Sequence, residues 1–194
     1  MSASHRASRA ELPRITESLA RAFHDDPVLV HLMGGRYDHR RARLGFEMLG
    51  RNMLSQGMVL HTPGFEAAAY WARPGHWRVP FSEIVKTLPV SVRAYRLRMF
   101  RALEVLMRME RVHPHEPHYY LEVLGTDPEH QGRGFGAALM APALDLADDE
   151  HVGAYLESSK ESNVPYYRRF GFEVVGAIRH RNGPTMWPMW REPR

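Results

Sequence analysis

Residues 119–147 read YYLEVLGTDPEHQGRGFGAALMAPALDLA, and this stretch decides the fold of the chain. Residues 119–125 alternate as the side chains of a strand do. The alternation predicts two faces, with Tyr120, Glu122 and Leu124 on one and Tyr119, Leu121 and Val123 on the other. From Leu139 onward, apolar residues recur at i, i+4, i+5 and i+8, which is typical of a helix. The sequence therefore predicts a strand, a tight turn and a helix in direct succession.

The turn between this strand and this helix is rich in glycine. It contains, in order, Gln131, Gly132, Arg133, Gly134, Phe135 and Gly136. The first turn of a helix has unpaired N–H groups and the positive end of the helix dipole, so such a turn can bind a phosphate. A P-loop would need Lys-Ser/Thr after the glycines, and a dinucleotide fingerprint would need the spacing G-x-G-x-x-G. Neither is present, and a helix that is merely capped by a flexible turn stays open as the alternative.

A second pattern follows the first. Residues 154–158 predict a strand, and the residues after it include Asn163, Tyr166, Tyr167, Gly171 and Phe172. Together with the match of Gln131, Gly134 and Gly136 to the acyl-CoA motif Q/R-x-x-G-x-G/A, this pattern resembles the GNAT superfamily of N-acetyltransferases. The layout is most similar to that of the puromycin N-acetyltransferase-like members. The resemblance is firm over about residues 118–190 and loose before them.

The resemblance implies a fold. It is an α/β fold of the α+β type, the GNAT fold, with a mixed, mostly antiparallel central sheet of about six or seven strands and helices on both faces. A single GNAT acetyltransferase domain is expected over residues 1–194. The strands near 119–125 and 153–158 are expected to splay apart and to admit the pantetheine arm of acetyl-CoA.

The resemblance also implies which residues bind acetyl-CoA, the expected cosubstrate. The pantetheine arm is expected to pair with the backbone at Leu124, Gly125 and Thr126, and to contact Asn163 and Tyr167. The pyrophosphate is expected on Gln131, Gly132, Arg133, Gly134, Phe135, Gly136 and Ala137. From the sequence alone, Asn163 has the alternative role of a helix N-cap.

The predicted chemistry is direct transfer of acetyl from the thioester to an amine. Tyr167 takes the position of the family's general-acid tyrosine, and a phenol with a pKa of about 10 is a ready proton donor to the leaving thiolate. Tyr166 is expected to turn toward the core. The candidate bases are Glu122 and Glu157, with a water chain as the remaining alternative, and each glutamate can also be a structural, hydrogen-bonded carboxylate.

The expected acceptor is the primary amine of a small molecule. An apolar acceptor pocket is predicted from aromatic residues, Trp71, Trp77, Phe81, Tyr95 and Tyr120. The alternatives are a non-catalytic acyl-CoA-binding sensor and an acetyltransferase that acts on a protein amine. A nucleic-acid-binding function is disfavoured because the arginine-rich helices carry no recognition motif.

The composition of the chain excludes several kinds of chemistry and several classes of protein. The chain has 194 residues, a formal net charge of +4 and no cysteine, so disulfides and thiol catalysis are excluded. Neither an apolar run long enough to span a membrane nor a secretory signal is found. We therefore expect a cytoplasmic protein, monomeric or homodimeric, with neither a membrane nor a nucleic-acid partner. The run of residues 113–118 contains three histidines, but its two prolines favour a stiff connector over a metal site, and no metal is expected.

The rest of the chain shows further periodic segments. Helices are predicted at 11–24, 28–33, 38–55, 82–88 and 91–111, and strands at 5–9, 58–61, 67–71, 172–178 and 185–190. Pro142 is expected to kink or split the helix that follows the glycine-rich turn. Pro188 is expected to interrupt the last strand or to place it at a sheet edge. The acidic residues at the end of that helix, Asp145, Asp148 and Asp149, are expected to be solvated.

Overall fold

The computed structural model describes residues 4–77, 99–180 and 183–194. Its strands are β1 (His5–Arg6), β2 (Gly57–His61), β3 (Ala67–Ala72), β4 (His118–Thr126), β5 (Gly153–Ser158), β6 (Glu173–Val174), β7 (Ile178–Arg179) and β8 (Thr185–Arg191). Its helices are α1 (Leu12–Ala22), α2 (Pro27–Met33), α3 (His39–Gln56), α4 (Met99–Val112), α5 (Phe135–Asp149) and α6 (Val164–Arg168). The predicted helix at 82–88 and the first part of the one at 91–111 lie outside the described residues.

The eight strands form one sheet in the order β1-β2-β3-β4-β5-β8-β6, with β7 paired to β8. Among the strands of the described residues, only β4 and β5 run parallel, and the other pairs are antiparallel. The mixed, mostly antiparallel sheet predicted from the sequence is therefore confirmed.

Helices cover both faces of the sheet, as predicted. On one face, Leu139, Met140 and Ala143 of α5 are fully buried against the sheet. On the other face, Ile15 and Leu19 of α1 pack with residues of α3. Burial of these apolar stripes holds α5 and α1 against opposite faces, since each removes apolar surface from water.

The alternation predicted for β4 fails at its middle. Tyr70 of β3 pairs with Val123, but the next residue, Trp71, pairs with Leu121, so Glu122 has no partner in β3. This is a β-bulge, and an extra residue in one strand reverses the faces of all residues after it. Val123 therefore packs on the α1 side, and Leu124 packs on the α5 side.

The sheet also corrects the expectations for the two prolines. Helix α5 continues through Pro142 without a break from Phe135 to Asp149, so the expected split does not occur.

Pro188 lies inside β8, which is an interior strand between β5 and β6. Its carbonyl accepts a hydrogen bond from Val175, just past the end of β6. The proline nitrogen points to that same side, between the short strands β6 and β7, and so it costs β8 no bond to β5.

The end of α5 is less solvated than expected. Arg191 of β8 donates two hydrogen bonds to the carboxylate of Asp148, at 2.8 and 2.7 Å, and one to the carbonyl of Phe170. The Arg191 side chain is only 4% exposed. This bidentate pair ties the last strand to the helix, and the expectation for Asp148 was wrong. Asp145 and Asp149 are exposed, as expected.

Candidate active site

A cleft of about 800 Å³ opens where β4 and β5 diverge. The two strands pair in parallel from His118 and Gly153 up to Leu121 and Leu156, and β4 then continues to Thr126 without a partner in β5. The predicted splay between these strands is confirmed. The wall of the cleft is completed by the loop between α1 and α2, the glycine-rich turn, the start of α5, and α6.

The β4 wall offers backbone groups to a ligand. Leu124, Gly125 and Thr126 line the cleft and pair with β3 on their other side. Since the parallel ladder ends at Leu121, their backbone groups that face β5 have no strand partner within the described chain. An extended chain can add to such an edge by hydrogen bonding.

The glycine-rich turn forms the end of the cleft at the start of α5. Gly132 and Gly134 have φ angles of 77° and 82°, and a Cβ on either would meet no atom within 4 Å. The turn thus adopts a left-handed backbone that glycine allows, and open space lies above it. Helix α5 begins directly afterwards at Phe135, so its free N–H groups face this space. The open space and the donor groups fit a phosphate-bearing ligand.

The predicted pyrophosphate residues take different places around this turn. Those that line the cleft are Gln131, Gly132, Gly134, Phe135, Gly136 and Ala137. Arg133 is exposed and does not line it. The amide of Gln131 donates to the carbonyl of Thr126 at 3.3 Å, which closes the turn onto β4.

The short helix α6 brings two tyrosines to the cleft. The ring of Tyr167 is 9% exposed and packs at 5.3 Å from that of Tyr166 and 6.3 Å from that of Phe172. Burial, followed by the nearby Tyr166 and Asp26, raises the pKa of Tyr167, which keeps its phenol protonated. The Tyr166 ring packs against the core as expected, but its hydroxyl reaches the glycine-rich turn, 2.5 Å from where a Cβ on Gly136 would lie.

Asn163 lies just before α6 and lines the cleft. Its side chain makes no capping hydrogen bond to this helix. Asn163 therefore holds the N-cap position that the sequence raised as an alternative, but its amide does not cap the helix.

Two carboxylates lie at the point where the strands separate. Glu122 is the bulged residue of β4, the first one past the last pair with β5, and Glu157 lies across from it on β5; both line the cleft. Burial raises the pKa of Glu122 to about 8, and the negative charge of Glu157 adds to this effect. The side chain of Glu157 is 2% exposed, and its charge helps to raise the pKa of Tyr120 and Tyr155.

Sequence reasoning missed the residues behind Glu157. Nδ1 of His113 lies 3.7 Å from Oε1 of Glu157, and Nε2 of His113 lies 3.0 Å from Nε2 of His118. Both histidines are buried. The only sequence signal was the group of histidines at 113–118, which we interpreted as a connector, and it does connect α4 to β4.

Sequence reasoning also missed a bridge over the cleft, which we call the clasp. It consists of two contacts between the α1–α2 loop and the loop after β5. Lys160 donates to Asp25 at 2.6 Å, and the hydroxyl of Ser159 donates to the carboxylate of Asp26. Asp26 also caps α2 by accepting from the backbone of Leu29, and burial raises the pKa of its carboxyl. All four clasp residues line the cleft.

The predicted aromatic acceptor pocket does not form on the described residues. Trp71 is fully buried and donates to the carbonyl of Leu139, Tyr120 lies in the core, and Trp77 stacks on His113. None of these three lines the cleft. These side chains were needed for the core, which pattern alone does not distinguish from a pocket. Phe81 and Tyr95 lie outside the described residues.

Residues 4–77, 99–180 and 183–194 contain no group of three or more His, Cys, Asp or Glu side chains placed to hold a metal. The helices of the same ranges are too short or too polar to cross a bilayer.

The described chain thus has a parallel pair that splays within an otherwise antiparallel sheet, with a glycine-rich turn and a helix beside the notch, which is the arrangement expected of the GNAT fold. Residues 106–192 match the family model described as an acetyltransferase (GNAT) domain. Residues 106–192 therefore carry a GNAT acetyltransferase domain, and the described chain has the GNAT fold.

Three proteins similar to this chain accompany the match. An uncharacterised N-acetyltransferase of Schizosaccharomyces pombe is 26% identical over 98% of this chain and 83% of its own length. The N-alpha-acetyltransferase RimI of Mycobacterium tuberculosis is 34% identical, over 38% of this chain and 46% of its own. A solved structure from Corynebacterium glutamicum, described as histone acetyltransferase HPA2 and related acetyltransferase, superposes with a TM-score of 0.76 at 24% identity, over 100% and 98% of the two chains. The superposition on the Corynebacterium glutamicum structure shows a shared fold.

Proposed function

We propose that the protein is an acetyl-CoA-dependent N-acetyltransferase that transfers acetyl directly to the primary amine of a small molecule. One observation carries the proposal. Glu122 and Tyr167 line the same cleft, at the notch between the splayed strands, with the glycine-rich turn at one end. A base, an acid and a site for the donor are thereby brought together.

The donor fits the cleft by its chemistry. In the proposed complex, the N–H groups at the start of α5 and the side chain of Gln131 bind the pyrophosphate, with Gly132 and Gly134 leaving it room. The backbone of Leu124 to Thr126 pairs with the pantetheine arm, and Asn163 contacts it from the other side. Acetyl-CoA supplies the activated acyl group as a thioester.

The reaction then needs two proton movements. An alkyl ammonium has a pKa of about 10 and must lose a proton before it can attack. Glu122 and Glu157 take that proton as a pair, since the negative charge of Glu157 makes the carboxyl of Glu122 a stronger proton acceptor. The amine nitrogen forms the bond to the acyl carbon, the carbon–sulfur bond breaks, and Tyr167 gives its phenolic proton to the departing sulfur.

The clasp favours a narrow small molecule as the acetyl acceptor. Because Asp25 and Asp26 are tied to the loop after β5, the clasp joins the α1–α2 loop to that loop at the wall of the cleft. An amine at the end of a narrow chain passes the clasp more readily than one on a folded protein surface. The primary amine of a small molecule is therefore favoured over a protein amine.

Thermal-shift measurements with acetyl-CoA, followed by thiol release with a panel of amines, test the proposal. A ligand at about 100 times its Kd should stabilise the fold by roughly 2.7 kcal/mol. Thiol release with small amines is the expected result. Binding without thiol release for any amine would indicate an acyl-CoA sensor, and release with peptide amines alone would indicate a protein substrate. The absence of any thermal shift at millimolar acetyl-CoA would contradict the proposal as a whole.

A further inference from the structure

Behind the cleft, three buried groups form a row from β5 to the start of β4. Nδ1 of His118 lies 2.7 Å from the carbonyl oxygen of Glu116, Nε2 of His118 lies 3.0 Å from Nε2 of His113, and Nδ1 of His113 lies 3.7 Å from Oε1 of Glu157. The two imidazoles are 4% and 2% exposed. Only the Glu157 end of the row borders the cleft.

The carbonyl of Glu116 fixes the protons along this row. A carbonyl can only accept, so Nδ1 of His118 carries the hydrogen between them. Burial lowers the pKa of His118, which favours its neutral ring, so its Nε2 is an acceptor. Nε2 of His113 must then donate to it.

The other ring nitrogen of His113 faces Glu157. If His113 is neutral, its Nδ1 has a lone pair, and this lone pair faces a carboxylate oxygen that has no hydrogen-bond partner in the described chain. Two acceptors that face each other in a buried place are unfavourable, and one additional proton between them removes the conflict. The row therefore accommodates one proton at the contact between Glu157 and His113.

Aromatic rings surround His113. The ring of Trp77 stacks on it at 3.7 Å with an interplanar angle of 21°, and an indole face attracts a cation. The rings of Tyr120 and Tyr155 approach it edgewise at 4.8 Å. Among the groups that face His113 from β4 and β5, Glu157 is the carboxylate, and the others are His118 and the two phenols.

We propose that His113 is a positioning residue: with His118 behind it, it holds one proton against Oε1 of Glu157 and so leaves the Glu122–Glu157 pair able to take the proton of the acceptor amine. The inference rests on the proposed acetyltransferase function. His113 does not touch the substrate; it acts through Glu157. Nothing is consumed, because the proton stays in the row while the amine's own proton is taken up by the pair.

Two neutral variants separate the contacts of His113. In His113→Gln the amide reaches the position of Nε2, so it keeps the contact to His118 and loses the one to Glu157. In His113→Asn the amide takes the position of Nδ1 and keeps a neutral donor toward Glu157. The matched control is His115→Gln, an exposed histidine of the same connector.

The pH profile of kcat/KM is the first readout. Without the proton on His113, the carboxylate pair takes up protons more readily, so the acid limb should move to higher pH by about one unit in His113→Gln. The rate at pH 7 should fall about tenfold and recover at high pH, and the shift should be smaller in His113→Asn. His115→Gln should match the wild type. An acid limb that stays in place in folded His113→Gln, with the rate lowered equally at every pH or not at all, would overturn the proposal.

Nitrogen-15 NMR of the histidine side chains is the second readout and needs no catalysis. We expect the Nδ1–H tautomer for His118 and a protonated Nδ1 for His113, which should lose this proton in Glu157→Gln. A wild-type His113 without a proton on Nδ1 would overturn the proposal even if His113→Gln fails to fold. Absence of thiol release by the wild type with every amine would instead contradict the proposed function.

Discussion

Glu122 and Glu157 face each other where β4 and β5 separate, and the charge of Glu157 adds to the burial that raises the pKa of Glu122 to about 8. A like charge disfavours ionisation, so removing one carboxylate should change the titration of the other. In the proposed mechanism this pair must lose a proton before it can take one from the amine.

The two glutamine variants should therefore affect activity in different ways. We expect Glu122→Gln to lower kcat by about 10²-fold or more, since the general base is lost. Glu157→Gln removes the like charge, so the acid limb of kcat/KM should move to lower pH. Both profiles can be measured by thiol release between pH 5.5 and 9. An unchanged profile in both variants would remove the pair from the mechanism.

Glu122 should also lower stability at alkaline pH. Its folded-state pKa of about 8 lies above that of the unfolded chain, so between these values the folded protein holds a proton that the unfolded chain has released. Stability then declines as pH rises through this window. We expect Glu122→Gln to melt above the wild type at pH 8 and closer to it at pH 5, by calorimetry. An equal difference at both pH values would contradict the raised pKa.

Tyr167→Phe keeps the ring and removes only the phenolic hydroxyl. If this hydroxyl protonates the leaving thiolate, kcat should fall by about 10²–10⁴-fold, while affinity for acetyl-CoA changes little. Tyr119→Phe is the matched control, because the hydroxyl of Tyr119 donates to Glu150 and does not line the cleft. Single-turnover kinetics are required, since slow product release can hide the loss of an acid. A single-turnover rate equal to that of the control would exclude Tyr167 as the acid.

The glycine-rich turn offers a matched pair of alanine variants. Gly134 and Gly75 have φ angles of 82° and 79°, and a Cβ on either would meet no atom of the protein within 4 Å. Both alanine variants should lose about 1–2 kcal/mol of stability from the left-handed backbone. Only Gly134→Ala should weaken acetyl-CoA binding by calorimetry, because its methyl group enters the space assigned to the pyrophosphate. Equal affinity of the two variants would contradict that placement.

The hydrogen-bonded pair of Arg191 and Asp148 should contribute to stability and not to catalysis. Hydrogen bonds from Arg191 hold the pKa of Asp148 below its ordinary value. The stabilisation is therefore present above the ordinary carboxyl pKa of about 4 and is lost as pH falls through the lower folded value. Asp148→Asn should reduce the free energy of unfolding at pH 7 by roughly 2–3 kcal/mol in urea titrations. The exposed neighbour provides the control, since Asp149→Asn should stay within about 0.5 kcal/mol of the wild type.

The sequence predicted those features that depend on neighbouring residues. The glycine-rich turn and the start of α5 follow from local residue types, and the strand predicted at 119–125 forms as β4. The bulge at Glu122 was beyond the sequence, because it is set by how Tyr70 and Trp71 of another strand pair with β4.

Contacts over long distances along the chain were also beyond prediction. His113 and Glu157 are far apart in sequence and meet only because β4 and β5 are neighbours in the sheet. The position of Pro188 inside the sheet depends on the gap between β6 and β7, which no pattern near the proline indicates. Trp71 and Tyr120 were assigned to a pocket because a buried aromatic residue of the core has the same local signature.

The bulge lets Glu122 enter β4 without disturbing the helices on either side of the sheet. Leu121 packs on the α5 side and Val123 on the α1 side, so these two residues already alternate as direct neighbours would. Deleting Glu122 would join them in regular pairing with Trp71 and Tyr70 and would leave the faces of Val123 and Leu124 unchanged. Chains of this fold can therefore gain or lose the residue between Leu121 and Val123, and with it a carboxylate at the notch, while the packing of both helices is kept.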